Sequence, residues 1–191
     1  MNKKVAITRL STGVPGLDTI LGGGLPEFSF NLITGSPGSG KTTLAHQIMF
    51  ALATREKPAL FFTLLGEIPL KMLRYQQQFS FFNAKSVSDS IHFINLNDEL
   101  ASGDLKKVLI RITKDVEAFS PALVFIDSFR SETLESKGEH KGKLSFQEFI
   151  QKLGMLVSSW EATTFLIGGL LNHDHSLIRA CLDYSIPITS I

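Results

Sequence analysis

Glycine, lysine and threonine stand at fixed intervals in Gly35–Thr42, GSPGSGKT, directly after the apolar run Phe30–Ile33 and ahead of a helix-like stretch. Gly35, Gly38 and Gly40 allow tight turns with positive φ, so successive backbone N–H groups can curl round an anion. Lys41 can reach the β and γ oxygens of a nucleotide, Thr42 can ligate Mg²⁺ through its hydroxyl, and the opening turn of the helix adds partial positive charge. The pattern reads as an ATP site built from Gly35, Ser36, Pro37, Gly38, Ser39, Gly40, Lys41, Thr42 and Thr43. A glycine-rich turn with an incidental lysine is the plain alternative, and the flanking strand and helix patterns argue against it. Such spacing speaks more strongly for binding than for hydrolysis.

Turnover needs two further groups. Ala122–Asp127, ALVFID, is an apolar strand ending in a carboxylate, and Asp127 there can hold Mg²⁺, which keeps several waters and takes one or two carboxylates. The strand Pro58–Leu65 is followed by Gly66 and Glu67. Glu67 is therefore the candidate base that orients or deprotonates the attacking water, against the alternative of an exposed loop glutamate. Ser128 is placed either to donate to the γ-phosphate or to cap the turn.

The elements that must position these groups are legible in the periodicity. Leu44, Ala45, Ile48, Met49 and Leu52 predict a helix over about Lys41 to Thr54. PALFFTLL is apolar almost throughout, which suits a parallel strand covered on both faces. Leu70–Phe79 reads as a helix, His92–Leu96 as a short strand, and Leu105, Val108, Leu109, Ile112, Val116 and Phe119 as a helical stripe. Phe146, Phe149, Ile150, Leu153 and Val157 make another stripe, and Thr163–Ile167 another strand. Strands alternating with helices imply an α/β fold with a mostly parallel sheet flanked by helices. Glu135–Lys143, ESKGEHKGK, is charged, glycine-bearing and aperiodic, and is expected to be a loop near the carboxyl edge of the sheet, where ligands bind in open α/β folds.

Composition narrows the classes. The 191 residues, 43% of them hydrophobic, fit one domain, 1–191, and mean hydropathy is +0.15. Nineteen basic residues against eighteen acidic ones give a net charge of +1, so no global field draws the chain to nucleic acid or to an anionic membrane. No apolar run is long enough for a signal peptide or a membrane span, so a cytoplasmic protein is expected. Cys181 is the single cysteine and reads as a packing residue.

RLSTGVPGLDTILGGGLP (Arg9–Pro26), GSPGSGKTT, FFTLLGEIP and VFIDS together resemble, in order and spacing, the KaiC-like ATPases of the RecA superfamily, over about Ile7 to Gly168. The first of these segments discriminates, because a phosphate loop occurs in many superfamilies. The resemblance implies a RecA-like core, ATP at a subunit interface, ring-shaped homo-oligomers such as hexamers, and slow ATPase or Ser/Thr autokinase activity that switches the binding of a protein partner the sequence does not name. Where the family often has two adjacent glutamates after the second strand, this chain has Gly66 and then Glu67, so no glutamate dyad is expected. Phe28 stands where the family often has glycine, which predicts an altered turn.

Residues 172–191 do not map onto the family's later strands or onto the basic element that reaches a neighbour's nucleotide. C-terminal strands are therefore expected to be missing or divergent in an atypical tail, where Arg179 is the one arginine. His173, Asp174 and His175 read as a polar loop rather than a metal site. Two other functions compete: a nucleotide-binding module without turnover, and a DNA-dependent RecA/RadA-type repair ATPase. Near-neutral charge and the lack of an interleaved aromatic and basic stretch argue against the DNA reading.

Overall fold

Strand-forming runs and helical stripes alternate along the chain, and the computed structural model assembles them into a parallel sheet between two helical layers. It describes residues 7–64, 69–101, 103–130, 145–169 and 184–188. Two short strands, β1 (Arg9–Leu10) and β2 (Leu25–Pro26), pair antiparallel in a small separate sheet. The main sheet is formed by β3 (Phe30–Gly35), β4 (Ala59–Thr63), β5 (Ile91–Asn95), β6 (Leu123–Arg130), β7 (Thr163–Gly169) and β8 (Tyr184–Ile188). Its order is β5-β4-β6-β7-β3-β8, with every neighbouring pair parallel.

Side-chain alternation along these strands divides the core in two. Leu32, Leu60, Phe62, Val124, Ile126 and Leu166 face one way. They meet Val108, Ile112 and Val116 of one helix and Phe149, Leu153 and Val157 of another. Ile33, Phe61, Phe125, Phe165 and Ile167 face the other way and are covered by Ala45, Ile48 and Met49. The seven helices among the described residues are α1 (Leu17–Ile20), α2 (Lys41–Leu52), α3 (Pro69–Gln76), α4 (Ser86–Asp89), α5 (Asn97–Ala101), α6 (Leu105–Phe119) and α7 (Phe146–Val157). Asp104 caps α6 by accepting from Lys106 N, and Ser145 with Glu148 forms a capping box on α7.

Several boundaries differ from the periodicity. Helix α2 ends at Leu52, because Ala53 turns to an extended conformation and Thr54 and Lys57 close a turn with reciprocal backbone hydrogen bonds. Helix α3 ends at Gln76, where Phe79 N and Phe82 N close successive turns on Gln76 O and Phe79 O. Strand β6 continues past Asp127 to Arg130, with a shift in its pairing to β7 between Asp127 and Phe129. The turn expected to be altered at Phe28 is made with phenylalanine in glycine's left-handed region, φ 64°, and Phe28 N donates to Thr163 Oγ1 at 2.9 Å.

The larger correction concerns the tail. Residues expected to lack or depart from the family's strands supply β8, which pairs with β3 from Asn31↔Tyr184 to Gly35↔Ile188. Pro187 disguises the strand in the sequence, since proline cannot donate to a ladder, but an edge position tolerates it. Ile186 anchors β8 by burying against the α2 face.

Candidate phosphate-binding site

Strand β3 delivers the glycine-rich loop to the carboxyl edge of the sheet and α2 begins as the loop ends. Gly38 and Gly40 adopt φ 78° and 91°, the positive values expected of them. Gly40 is the N-cap of α2 and carries no side chain to cap it, so no side-chain oxygen competes with an anion at the helix start.

Gly35 is needed for a different reason from the one expected. It lies in strand β3 outside the positive-φ glycines, and a Cβ there would collide with Ile188 O and come within 2.7 Å of Ser39 Oγ. Close approach of β8, not positive φ, requires the glycine.

Lys41 folds its amine into the loop, donating to Gly35 O at 2.8 Å and Ser36 O at 2.7 Å. The charge is thereby held against the carbonyls of the loop's first two residues. Thr42 Oγ1 donates to Asp127 Oδ2 at 2.7 Å across 85 residues of sequence. Asp127 itself is 9% exposed. A threonine hydroxyl and a carboxylate in direct contact, both hard oxygen donors, suit Mg²⁺. Strand β4 runs beside β6, with Thr63 opposite Asp127, and Leu64 N donates to Asp127 O at 2.7 Å. The chain therefore leaves β4 next to the candidate metal ligand, and Glu67 follows three residues after Leu64 in the sequence.

Glu67 and Gly66 lie outside the described residues, as do Glu135–Lys143, His173, Asp174, His175, Arg179 and Cys181. Among the described residues no cluster of three or more His, Cys, Asp or Glu side chains is placed to hold a metal. None of their helices is long and apolar enough to cross a membrane.

The segment ahead of β3 is organised by two residues the sequence reading passed over. Asp18 accepts from Ser11 Oγ (2.5 Å), Thr12 N (2.8 Å) and Thr12 Oγ1 (2.7 Å). The Ser11 hydroxyl first, and then Thr12, hold its carboxyl below the usual carboxylate range. Arg9 Nη1 donates to Leu21 O and Gly24 O, tying the glycine run back to β1. A carboxylate six and seven residues after a Thr and a Ser was the available signal.

Comparison with known proteins bears on the family and the fold. The sequence profile of the family described as "ATPase: KaiC" matches residues 10–182. A UPF0273 protein of Methanopyrus kandleri is 40% identical over 75 residues, 39% of this chain and 29% of that protein. The circadian clock oscillator protein KaiC of Prochlorococcus marinus is 27% identical over 133 residues, 65% of this chain and 26% of that protein. These matches span less than a third of the relatives' own lengths. The crystal structure of a KaiC-like protein from Pyrococcus horikoshii superposes with a TM-score of 0.76, covering 96% of this chain and 82% of that one; at 24% identity the likeness speaks for the fold. With its phosphate loop on a parallel RecA-like sheet and a family profile covering most of its length, this chain belongs to the KaiC-like ATPases of the RecA superfamily.

Proposed function

We propose that the chain binds Mg-ATP and turns it over slowly, by hydrolysis or by transfer to a Ser or Thr hydroxyl, as a regulatory switch in a homo-oligomer. The observation that carries this reading is the 2.7 Å contact between Thr42 Oγ1 and Asp127 Oδ2, at the foot of a loop that already holds the Lys41 amine. Backbone N–H groups of Gly35–Thr43 receive the phosphates and Lys41 offsets the charge on the β and γ oxygens. Thr42 and Asp127 would hold Mg²⁺, which when bound supplies further charge neutralisation on those oxygens. Glu67 holds the attacking water or accepts its proton. Only Glu67 matches the family's glutamate pair, and no basic residue is assigned to reach the site from a neighbouring subunit. Turnover is accordingly expected on the order of once per hour.

The test is steady-state ATPase activity with and without Mg²⁺, beside the oligomeric mass in each condition. Glu67→Gln should leave ATP affinity near the wild-type value and lower kcat by about 10²- to 10⁴-fold. Wild-type hydrolysis at background, with ATP still bound, would replace this reading with an inert nucleotide-binding module.

A further inference from the structure

A histidine and a glutamine are buried in a part of the core made of phenylalanine. Phe93, Phe61, Phe125 and Phe165 stand in register across β5, β4, β6 and β7. Their ring centroids are 5.5, 5.9 and 4.5 Å apart in succession. His46, on α2, lies against this row, 4.6 Å from Phe61 and 6.2 Å from Phe93, and is fully buried. Gln76, the last residue of α3, is 5% exposed, and its Nε2 donates to His46 Nδ1 at 2.5 Å.

As packing, this pair is a poor choice. His46 Nε2 and Gln76 Oε1 find no partner among the described residues, and each such buried polar atom costs about 1–3 kcal/mol. Two apolar side chains of similar shape would serve the core as well or better. What they would not supply is direction: a hydrogen bond fixes the rotation and height of one helix against another, whereas apolar contact tolerates sliding.

The two helices so joined are informative. α2 opens with Lys41 and Thr42. α3 follows β4 in the chain, and between them lies the segment that contains Glu67, one residue short of Ile68 and two short of Pro69. We propose that His46 and Gln76 are positioning residues: their hydrogen bond carries the effect of Mg-ATP binding at α2 to α3, the helix that begins two residues after Glu67 in the sequence. The inference rests on the Mg-ATP reading above and names the internal link by which loop occupancy reaches α3.

The test is amide hydrogen exchange of the full chain with and without Mg-ATP, together with kcat and KM. In the wild type, Mg-ATP slows exchange both in residues 35–44 and in α3. In His46→Leu/Gln76→Leu the loop keeps its protection and α3 loses its own. The denaturation midpoint of that double variant stays level or rises, KM is little changed, and kcat falls by about 3- to 30-fold. The single variant His46→Asn, with Gln76 in place and an amide oxygen near the position of Nδ1, keeps both the α3 response and kcat close to the wild type. Absence of an α3 response in the wild type overturns the proposal without recourse to any variant, and so does an α3 response that persists in the double variant. Absence of loop protection in the wild type removes the Mg-ATP reading itself and this inference with it.

Discussion

At the scale of single residues, the proposed site gives Lys41 and Asp127 separable work. Lys41 sets its charge against the loop carbonyls of Gly35 and Ser36, the position a β- or γ-phosphate oxygen would approach. Lys41→Ala should abolish tight Mg-ATP binding, because a charge-assisted contact in a partly desolvated site has no substitute there. Asp127 accepts from the hydroxyl of Thr42, the other proposed Mg²⁺ ligand. Asp127→Asn should therefore weaken Mg²⁺-dependent turnover far more than nucleotide affinity. Calorimetry beside an ATPase assay measures both, and unchanged affinity in Lys41→Ala would remove the loop's assignment.

At the scale of elements, the site depends on how β3, β8 and α2 are held. A methyl group on Gly35 would collide with the Ile188 carbonyl, and backbone cannot swing aside as a side chain does. Gly35→Ala should lower stability by about 1–3 kcal/mol and loosen nucleotide binding, read from a urea midpoint and a titration. Helix α2 also carries a pH dependence. Burial lowers the His46 pKa from 6.5 to about 3, so the folded protein keeps this imidazole neutral where the unfolded chain protonates it. Stability from this group is whole above pH 6.5 and falls as pH drops towards 3, by about 1.4 kcal/mol per pH unit within that window. Urea midpoints at pH 7.5 and pH 5 should differ more for the wild type than for His46→Leu, since the leucine variant lacks the titrating group.

At the scale of the whole molecule, two helical layers clamp one sheet, and the row of phenylalanines under α2 spans four of its strands. Phe125 is at the middle of that row, fully buried, and stacks on Phe165 with ring planes 3° apart. Phe125→Ala should cost about 3–5 kcal/mol of stability, measured by denaturant unfolding. Nucleotide binding should survive below the unfolding transition, because the ring contacts of Phe125 are with Phe61 and Phe165 of neighbouring strands. A loss of binding in the folded variant would mean that the core also sets the loop's geometry.

The sequence by itself determined what short-range chemistry controls. The glycines, Lys41 and Thr42 of the loop act through a few neighbouring backbone groups, so their pattern is readable locally. The stripes that became α6 and α7 are readable too, because burial on one face of a helix imposes its own period. The tertiary structure decided the rest. It brought Asp127 onto Thr42 from 85 residues away, and showed Gly35 to be required by β8 rather than by a turn. It also made an edge strand of Tyr184–Ile188 despite Pro187, and set Gln76 against His46. Each of these depends on which strands and helices become neighbours. That choice rests on burial and pairing summed over the whole sheet, a quantity no local window of sequence contains.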